Sequence, residues 1–414
     1  MARSRKDNKG RILKKGESQR KSDLMYVYTY RDPMTQKRRY VYSKDLMQLR
    51  EKEKILLRNQ MDGINIYAAG KTDLNQVFDR YISTKVELRN STRYNYIYLY
   101  DYFIRDTFGK KKIGEIKYSD VLFFYLNLLT ERKIKISTLQ TIHVVLHPAF
   151  QMAVRDNIIR TNPSDGVMQQ IRKKTGQTNG TRQALTVEQQ KAFMDYVANS
   201  PFFCRYTPLF TVLLGTGCRI GEIIGLRWSD IDFENRMISI NHSMIYYPKM
   251  AKESKCVYQI AQPKTKSGIR NVPMMEAVYK AFKDEAAMQE EDGIRSTMTV
   301  DGMSGFVFCN RQGRLYYSCL INKIIRQIVQ AYNSEEEKRA IQEERKPIII
   351  PIFTCHHLRH TFCARFCENE SNIKVIQTVM GHSDIKTTMN IYAEVTDKKK
   401  KEAIENLSRN LHIF

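Results

Sequence analysis

The chain has 414 residues, 42% of them apolar, enough for two or three folded domains with cores of their own. Lys and Arg number 68 against 44 Asp and Glu, a formal charge of +24; such a surplus favours a polyanionic partner, because phosphate neutralisation dominates nucleic-acid affinity. No apolar run approaches the roughly 20 residues of a membrane span, and the polar, basic start lacks a secretory signal's apolar stretch. The eight cysteines all lie at or beyond Cys204 and form no Cys-x-x-Cys pair, which leads us to expect reduced thiols in a cytoplasmic protein.

Residues 1–70 are expected to form a small basic module, with 18 Lys and Arg against 8 Asp and Glu. Three strands are predicted at Arg11–Arg20, Met25–Arg31 and Lys37–Ser43, the last two from aromatics alternating at period two. Lys44–Met61 places Leu46, Leu49, Ile55 and Leu56 at helical spacing. A basic sheet face of this kind has the geometry to enter a DNA major groove; Arg20, Lys21, Tyr28, Arg38 and Arg39 are the candidate contacts.

Residues 71–174 read as helical. Tyr94, Tyr96, Tyr98, Tyr100 and Tyr102 alternate like a strand, yet Ile97, Tyr100, Phe103 and Ile104 also share a helical face, and the helical surroundings decide for helix. Asn162–Gly166 is a turn cluster, and Arg172–Arg182 is the expected linker. Within residues 175–414, Thr186 and Gln189 form a capping box, and a β-rich patch spans Met237–Tyr247 and Cys256–Val272 among helices.

Four short segments carry chemistry together. Leu214-Gly-Thr-Gly-Cys-Arg-Ile-Gly-Glu222 puts Arg219 at a helix start with Glu222 one turn on. Pro263-Lys-Thr-Lys-Ser-Gly268 is a hairpin-like turn carrying Lys264 and Lys266. His356-His-Leu-Arg-His-Thr361 sets His356 and Arg359 on one helical face, a useful arrangement for gripping phosphate. Met380-Gly-His382 is followed ten residues later by Tyr392. Taken singly each is an ordinary surface or core pattern.

In this order and spacing, Arg219, Lys264, His356, Arg359, His382 and Tyr392 resemble the active-site set of the tyrosine recombinases, the phage-type integrases, over residues 184–414. The helical middle is similar to that family's core-binding domain. The first residues, with Asp7-Asn-x-Gly-Arg-Ile-Leu-x-x-Gly-Glu-Ser-Gln-Arg-Lys21, are similar to the arm-binding domain of integrases from conjugative transposons. Cys355 stands where the family often has Pro; His357 stands beside His356, where the family register favours His356; Lys266 competes with Lys264, which we prefer.

The resemblance implies a multidomain α+β chain: a three-stranded N-terminal module, a helical core-binding domain, and a mixed, mainly helical catalytic domain, the last two closing around duplex DNA. It implies site-specific integration and excision through a 3′-phosphotyrosine. Tyr392 would attack, Arg219 and Arg359 grip the nonbridging oxygens, His356 act as base, Lys264 protonate the leaving 5′ oxygen and His382 donate to the phosphate. Glu222 would orient Arg219 or a histidine. The phosphoester bond is conserved through the intermediate, so neither a nucleotide cofactor nor a metal is expected, and the sequence has no P-loop. Expected partners are double-stranded DNA at core-type and arm-type sites, further copies of the chain (a tetramer in the synapse), an excisionase and a host DNA-bending protein. Residues 398–414 carry Ile404, Leu407 and Leu411 at nearly helical spacing and are a candidate docking tail. Rival readings are a catalytically silent DNA-binding regulator, a type IB topoisomerase, and a zinc site from His356, His360, Cys363 and Cys367.

Overall fold

The computed structural model describes residues 5–31, 36–61, 70–175, 183–248, 256–263 and 266–393. The chain divides into two compact units, Met1–Asn179 and Gly180–Phe414. Lys264 and the 398–414 tail lie outside the described residues, as does the Lys266 side chain.

The basic module is an antiparallel sheet of β1 (Glu17–Gln19), β2 (Tyr26–Arg31) and β3 (Arg38–Ser43) on helix α1 (Leu46–Met61). The first strand is shorter than its predicted Arg11–Arg20, because Asp7 organises the preceding loop. Its carboxylate accepts the Lys9 and Arg11 backbone N–H groups and the Arg11 side chain at 2.7–2.9 Å. Gly16 then turns the chain at φ +92, where a Cβ would stand 2.8 Å from the Tyr28 ring. Tyr26, Tyr28, Leu46, Leu49 and Leu56 form the core, and a Glu17–Arg50 ion pair of 2.9 Å ties sheet to helix.

That register corrects part of the expected DNA face. Tyr28 is only 8% exposed and packs against the helix; Arg39, opposite Tyr30, points to the same side and is half-buried. Arg20, Lys21 and Arg38 are exposed. Tyr40 and Tyr42 join Arg38 on the outer face, their rings stacked 6.4 Å apart with the Arg20 guanidinium 5.1 Å from Tyr42.

The helical region comprises α2 (Leu74–Thr84), α3 (Asn90–Tyr100), α4 (Tyr118–Thr130), α5 (Ile136–Arg155) and α6 (Val167–Thr175). The tyrosine-rich stretch is helical, as its surroundings indicated, and ends in a π-helical turn at Asp101–Arg105. Tyr94, Tyr98 and Tyr102 stack along its outside, while Tyr100 lies face to face with Phe78 at 3.6 Å in a core shared with Val121, Leu139, Val145 and Phe150. The expected linker begins later than predicted, since residues 172–175 continue α6.

In the second unit, helices α7 (Val187–Asn199), α8 (Thr207–Thr216), α9 (Ile220–Ile224), α10 (Glu276–Glu291), α11 (Ser318–Gln342), α12 (Cys355–Asn369) and α13 (Ile373–Met380) precede a final helix, α14, over residues 385–393. Thr186 and Gln189 make the predicted capping box on α7. Apolar on nearly every side, α8 is buried between α10 and α12. The predicted β-rich patch resolves into two sheets, one ordering β4 (Ile231–Asp232), β5 (Met237–Ile240) and β8 (Arg270–Pro273), the other a hairpin of β6 (Ser243–Pro248) and β7 (Cys256–Ala261).

Candidate active site

Three chain segments meet where α8 ends, α12 begins and α13 ends. Gly217 closes α8 in the left-handed region at φ 60, and a Cβ there would stand 2.3 Å from the Phe362 ring, so the turn requires glycine. The next residues swing Arg219 to the start of α9, where the Glu222 carboxylate accepts both the Arg219 backbone N–H (2.9 Å) and its Nη1 (2.8 Å). Gly381 ends α13 in the same way, at φ 64.

The carbonyls at that end of α13 gather three arginines. Arg270 Nε donates to Val379 O at 2.8 Å, Arg359 Nη2 to Met380 O at 2.7 Å and Arg219 Nη2 to Gly381 O at 3.2 Å. A helix C-terminus carries partial negative charge, which offsets the mutual repulsion of the cations. Arg359 also donates Nη1 to Gly217 O at 2.7 Å, so it bridges the ends of α8 and α13. Burial and the neighbouring guanidiniums push Arg359 down to about 10, which leaves it charged at neutral pH. For Glu222 burial opposes ionisation, but the Arg270 and Arg219 hydrogen bonds outweigh it and hold the carboxyl below its ordinary range.

His382 follows Gly381 and is buried, with Nδ1 2.9 Å from the Thr388 hydroxyl of α14. Burial, then Arg359 and Arg219, push it down to about 3, so its ring is neutral. His356 is exposed on the first turn of α12, close enough for its charge to bear on His382. His357 caps that helix, its Nδ1 accepting the Thr354 backbone N–H at 3.2 Å, which separates the two adjacent histidines in role. Tyr392 is half-buried on α14 and packs on the cluster of Cys363, Cys367, Ile376 and Met380. Both of those cysteines are thus core residues, and among the described residues no group of three or more His, Cys, Asp or Glu could hold a metal.

Of the six expected residues, Arg219, Arg359 and His382 converge on the α13 end, and His356 and Tyr392 stand on the elements beside it. Two participants escaped sequence reasoning. Thr388 carried no signal. Arg270 did carry one: it occupies an inward position of β8, alternating with buried Val272, where an apolar residue would be ordinary.

Residues 183–399 match the phage integrase family, and residues 1–60 match the DNA binding domain of tn916 integrase. The chain is 32% identical to the transposase from transposon Tn1545 of Streptococcus pneumoniae over 99% of its own length and 98% of that protein. It superposes on the Tn1549 transposon integrase, solved with transposon right end DNA, with a TM-score of 0.68 at 28% identity, covering 81% of this chain and all of that one. A lambda integrase tetramer on a Holliday junction shares the fold at 17% identity, with a TM-score of 0.51 over 91% of this chain and 94% of that one. With family matches across both ends and a transposon relative along its full length, this chain belongs to the phage integrase family of tyrosine recombinases, among the integrases of conjugative transposons.

Proposed function

We propose that the chain cuts and rejoins the ends of a conjugative element and its circular intermediate, with Tyr392 as nucleophile and the α13 end as phosphate receptor. The observation that carries this reading is the meeting of Arg219, Arg359 and His382 on consecutive residues at that helix end. A phenol is protonated at neutral pH, so attack needs a base, and His356 takes the Tyr392 proton. The phenolate oxygen bonds to phosphorus, the bond from phosphorus to the 5′ oxygen breaks, and Lys264 returns a proton to that oxygen. The products are a 3′-phosphotyrosine and a 5′-hydroxyl, and the reverse steps with a second strand complete the exchange. Arg219 and Arg359 neutralise the nonbridging oxygens of the phosphorane; one well-placed donor of that kind is worth roughly 2.7–4 kcal/mol of barrier. Neutral His382, with the Thr388 hydroxyl donating to Nδ1, carries its hydrogen on Nε2 and donates it to the phosphate.

Around this site we assign residues 1–70 to arm-type DNA, 71–174 to core-type DNA and 175–414 to catalysis, with four protomers in the synapse and an excisionase and a DNA-bending protein directing the outcome. The arm face comprises Arg20, Lys21 and Arg38 with Tyr40 and Tyr42. The reaction takes place in the cytoplasm, on nucleoid DNA; no helix among the described residues is long and apolar enough to cross a membrane. The test is a nicked suicide duplex carrying the element end, incubated in EDTA with wild type and Tyr392→Phe. A covalent band that resists SDS and vanishes in the variant is expected; a band that survives the substitution moves the nucleophile elsewhere.

A further inference from the structure

A guanidinium has five N–H donors in a fixed fork. Arg270 spends all of them on the protein. Nε donates to Val379 O (2.8 Å), Nη2 to Glu222 Oε2 (2.9 Å) and Cys218 Sγ (3.5 Å), and Nη1 to Glu222 Oε1 and Gly268 O (both 3.3 Å). Its side chain is 4% exposed, against 41% for Arg219. Arg270 therefore has no edge to offer a phosphate, whereas Arg219 does. The two arginines share one carboxylate: Arg270 grips both Glu222 oxygens from the buried side, and Arg219 Nη1 reaches Oε1 from the open side at 2.8 Å.

We propose that Arg270 is a positioning residue for strand cleavage, holding Glu222 in the one orientation that aims Arg219 at the scissile phosphate. This rests on the assignment of Arg219 as a phosphate ligand. With both carboxylate oxygens in the Arg270 fork, Glu222 cannot rotate about its own axis, and the direction of the Arg219 guanidinium follows. The fork itself is fixed by the Val379 carbonyl, so the aim of Arg219 is referred to α13, the helix that leads into His382 and α14. A lysine at this position keeps the buried charge, but a single ammonium cannot chelate two oxygens and reach a carbonyl on the far side.

The test uses the full chain and two suicide duplexes, one with an ordinary scissile phosphate and one with a methylphosphonate there. The methylphosphonate removes a negative nonbridging oxygen, so its phosphorane asks less of Arg219. Arg270→Lys is expected to bind the duplex as wild type does and to form the covalent complex on the order of 10²-fold more slowly on phosphate, the scale of a misplaced reacting group. On methylphosphonate most of that loss should disappear, as it should for Arg219→Ala. Arg270→Met should show the same pattern; if it fails to fold, the lysine variant decides. Cleavage of phosphate by Arg270→Lys at the wild-type rate, or equal loss on both duplexes while Arg219→Ala is relieved, overturns the positioning role. Absence of relief in Arg219→Ala removes the phosphate role from Arg219 and with it the ground on which the proposal stands.

Discussion

Glu285 offers a test of how far burial sets the electrostatics of the catalytic unit, because one substitution isolates a single proton. It lies inside α10, where Gln289 Nε2 donates to its Oε1 at 2.7 Å. Burial pushes its carboxyl up to about 7 from an ordinary 4.5. A raised carboxyl keeps its proton in the folded chain after the unfolded chain has lost it. The stability it supports is therefore full below 4.5, falls as pH rises from there to 7, and is flat beyond. At about 1.36 kcal/mol per unit the loss by pH 7 is about 3 kcal/mol. Glu285→Gln copies the protonated form and removes the titration. Urea unfolding of the full chain, followed by the fluorescence of Trp228, the single tryptophan, should give matching stabilities for wild type and variant in acid. Above neutrality the variant should lead by up to about 3 kcal/mol. A difference that does not change with pH, or a variant weaker than wild type in alkaline buffer, would refute the reasoning.

Further outcomes follow from particular contacts. Arg38→Ala should weaken arm-site binding and lower the salt slope of that binding by about one in a gel-shift titration, whereas Tyr28→Ala should lower the melting temperature of the chain because it empties a core position. Gly381→Ala places a Cβ at φ 64 and 2.9 Å from Arg270 Nη1; backbone strain of roughly 1–2 kcal/mol and a displaced guanidinium should abolish covalent complex formation while DNA binding survives, measured on the same samples. Thr388→Val removes the hydroxyl that fixes the His382 ring, so cleavage should fall about tenfold or more with binding unchanged, and Thr388→Ser should restore it; full activity in the valine variant would deny the hydroxyl a part in catalysis.

The sequence disclosed those parts of the molecule that depend on local spacing. Period-two aromatics located β2 and β3, the Thr186–Gln189 pair located the start of α7, and the glycines of the Arg219 and His382 motifs mark the two left-handed turns that expose the ends of α8 and α13. Tertiary partners were legible only in part. Period two could not say which sheet face meets α1, so Tyr28 was placed outward although its ring belongs to the core. A strand reading over Arg11–Arg20 missed the Asp7 carboxylate, which captures two backbone N–H groups and curls the chain before β1. Arg270 was legible only as a charged residue at an inward strand position, because its partners are Glu222, 48 residues earlier, and a carbonyl 109 residues later.

The choice of acceptors at the α13 end bears on how such a site waits for DNA. Arg219, Arg270 and Arg359 bring three positive charges; Glu222 is held ionised and His382 is held neutral, so these five groups together carry a surplus of two. A second carboxylate would cancel part of that surplus and compete with the phosphate for the same forks. The backbone carbonyls of residues 379–381 instead supply partial charges, enough to line up the guanidiniums against their repulsion yet too weak to neutralise them. In the proposed reaction an arriving phosphate would meet Arg219 and Arg359 already aimed and not fully neutralised, with the reorganisation that water would demand in forming the phosphorane done during folding. The cost falls on the buried Arg270–Glu222 pair, where loss of either partner leaves a stranded charge worth about 3–5 kcal/mol. For that reason the one full carboxylate sits between Arg270 on the buried side and Arg219 on the open side, where it can fix the direction of Arg219 without occupying its exposed edge.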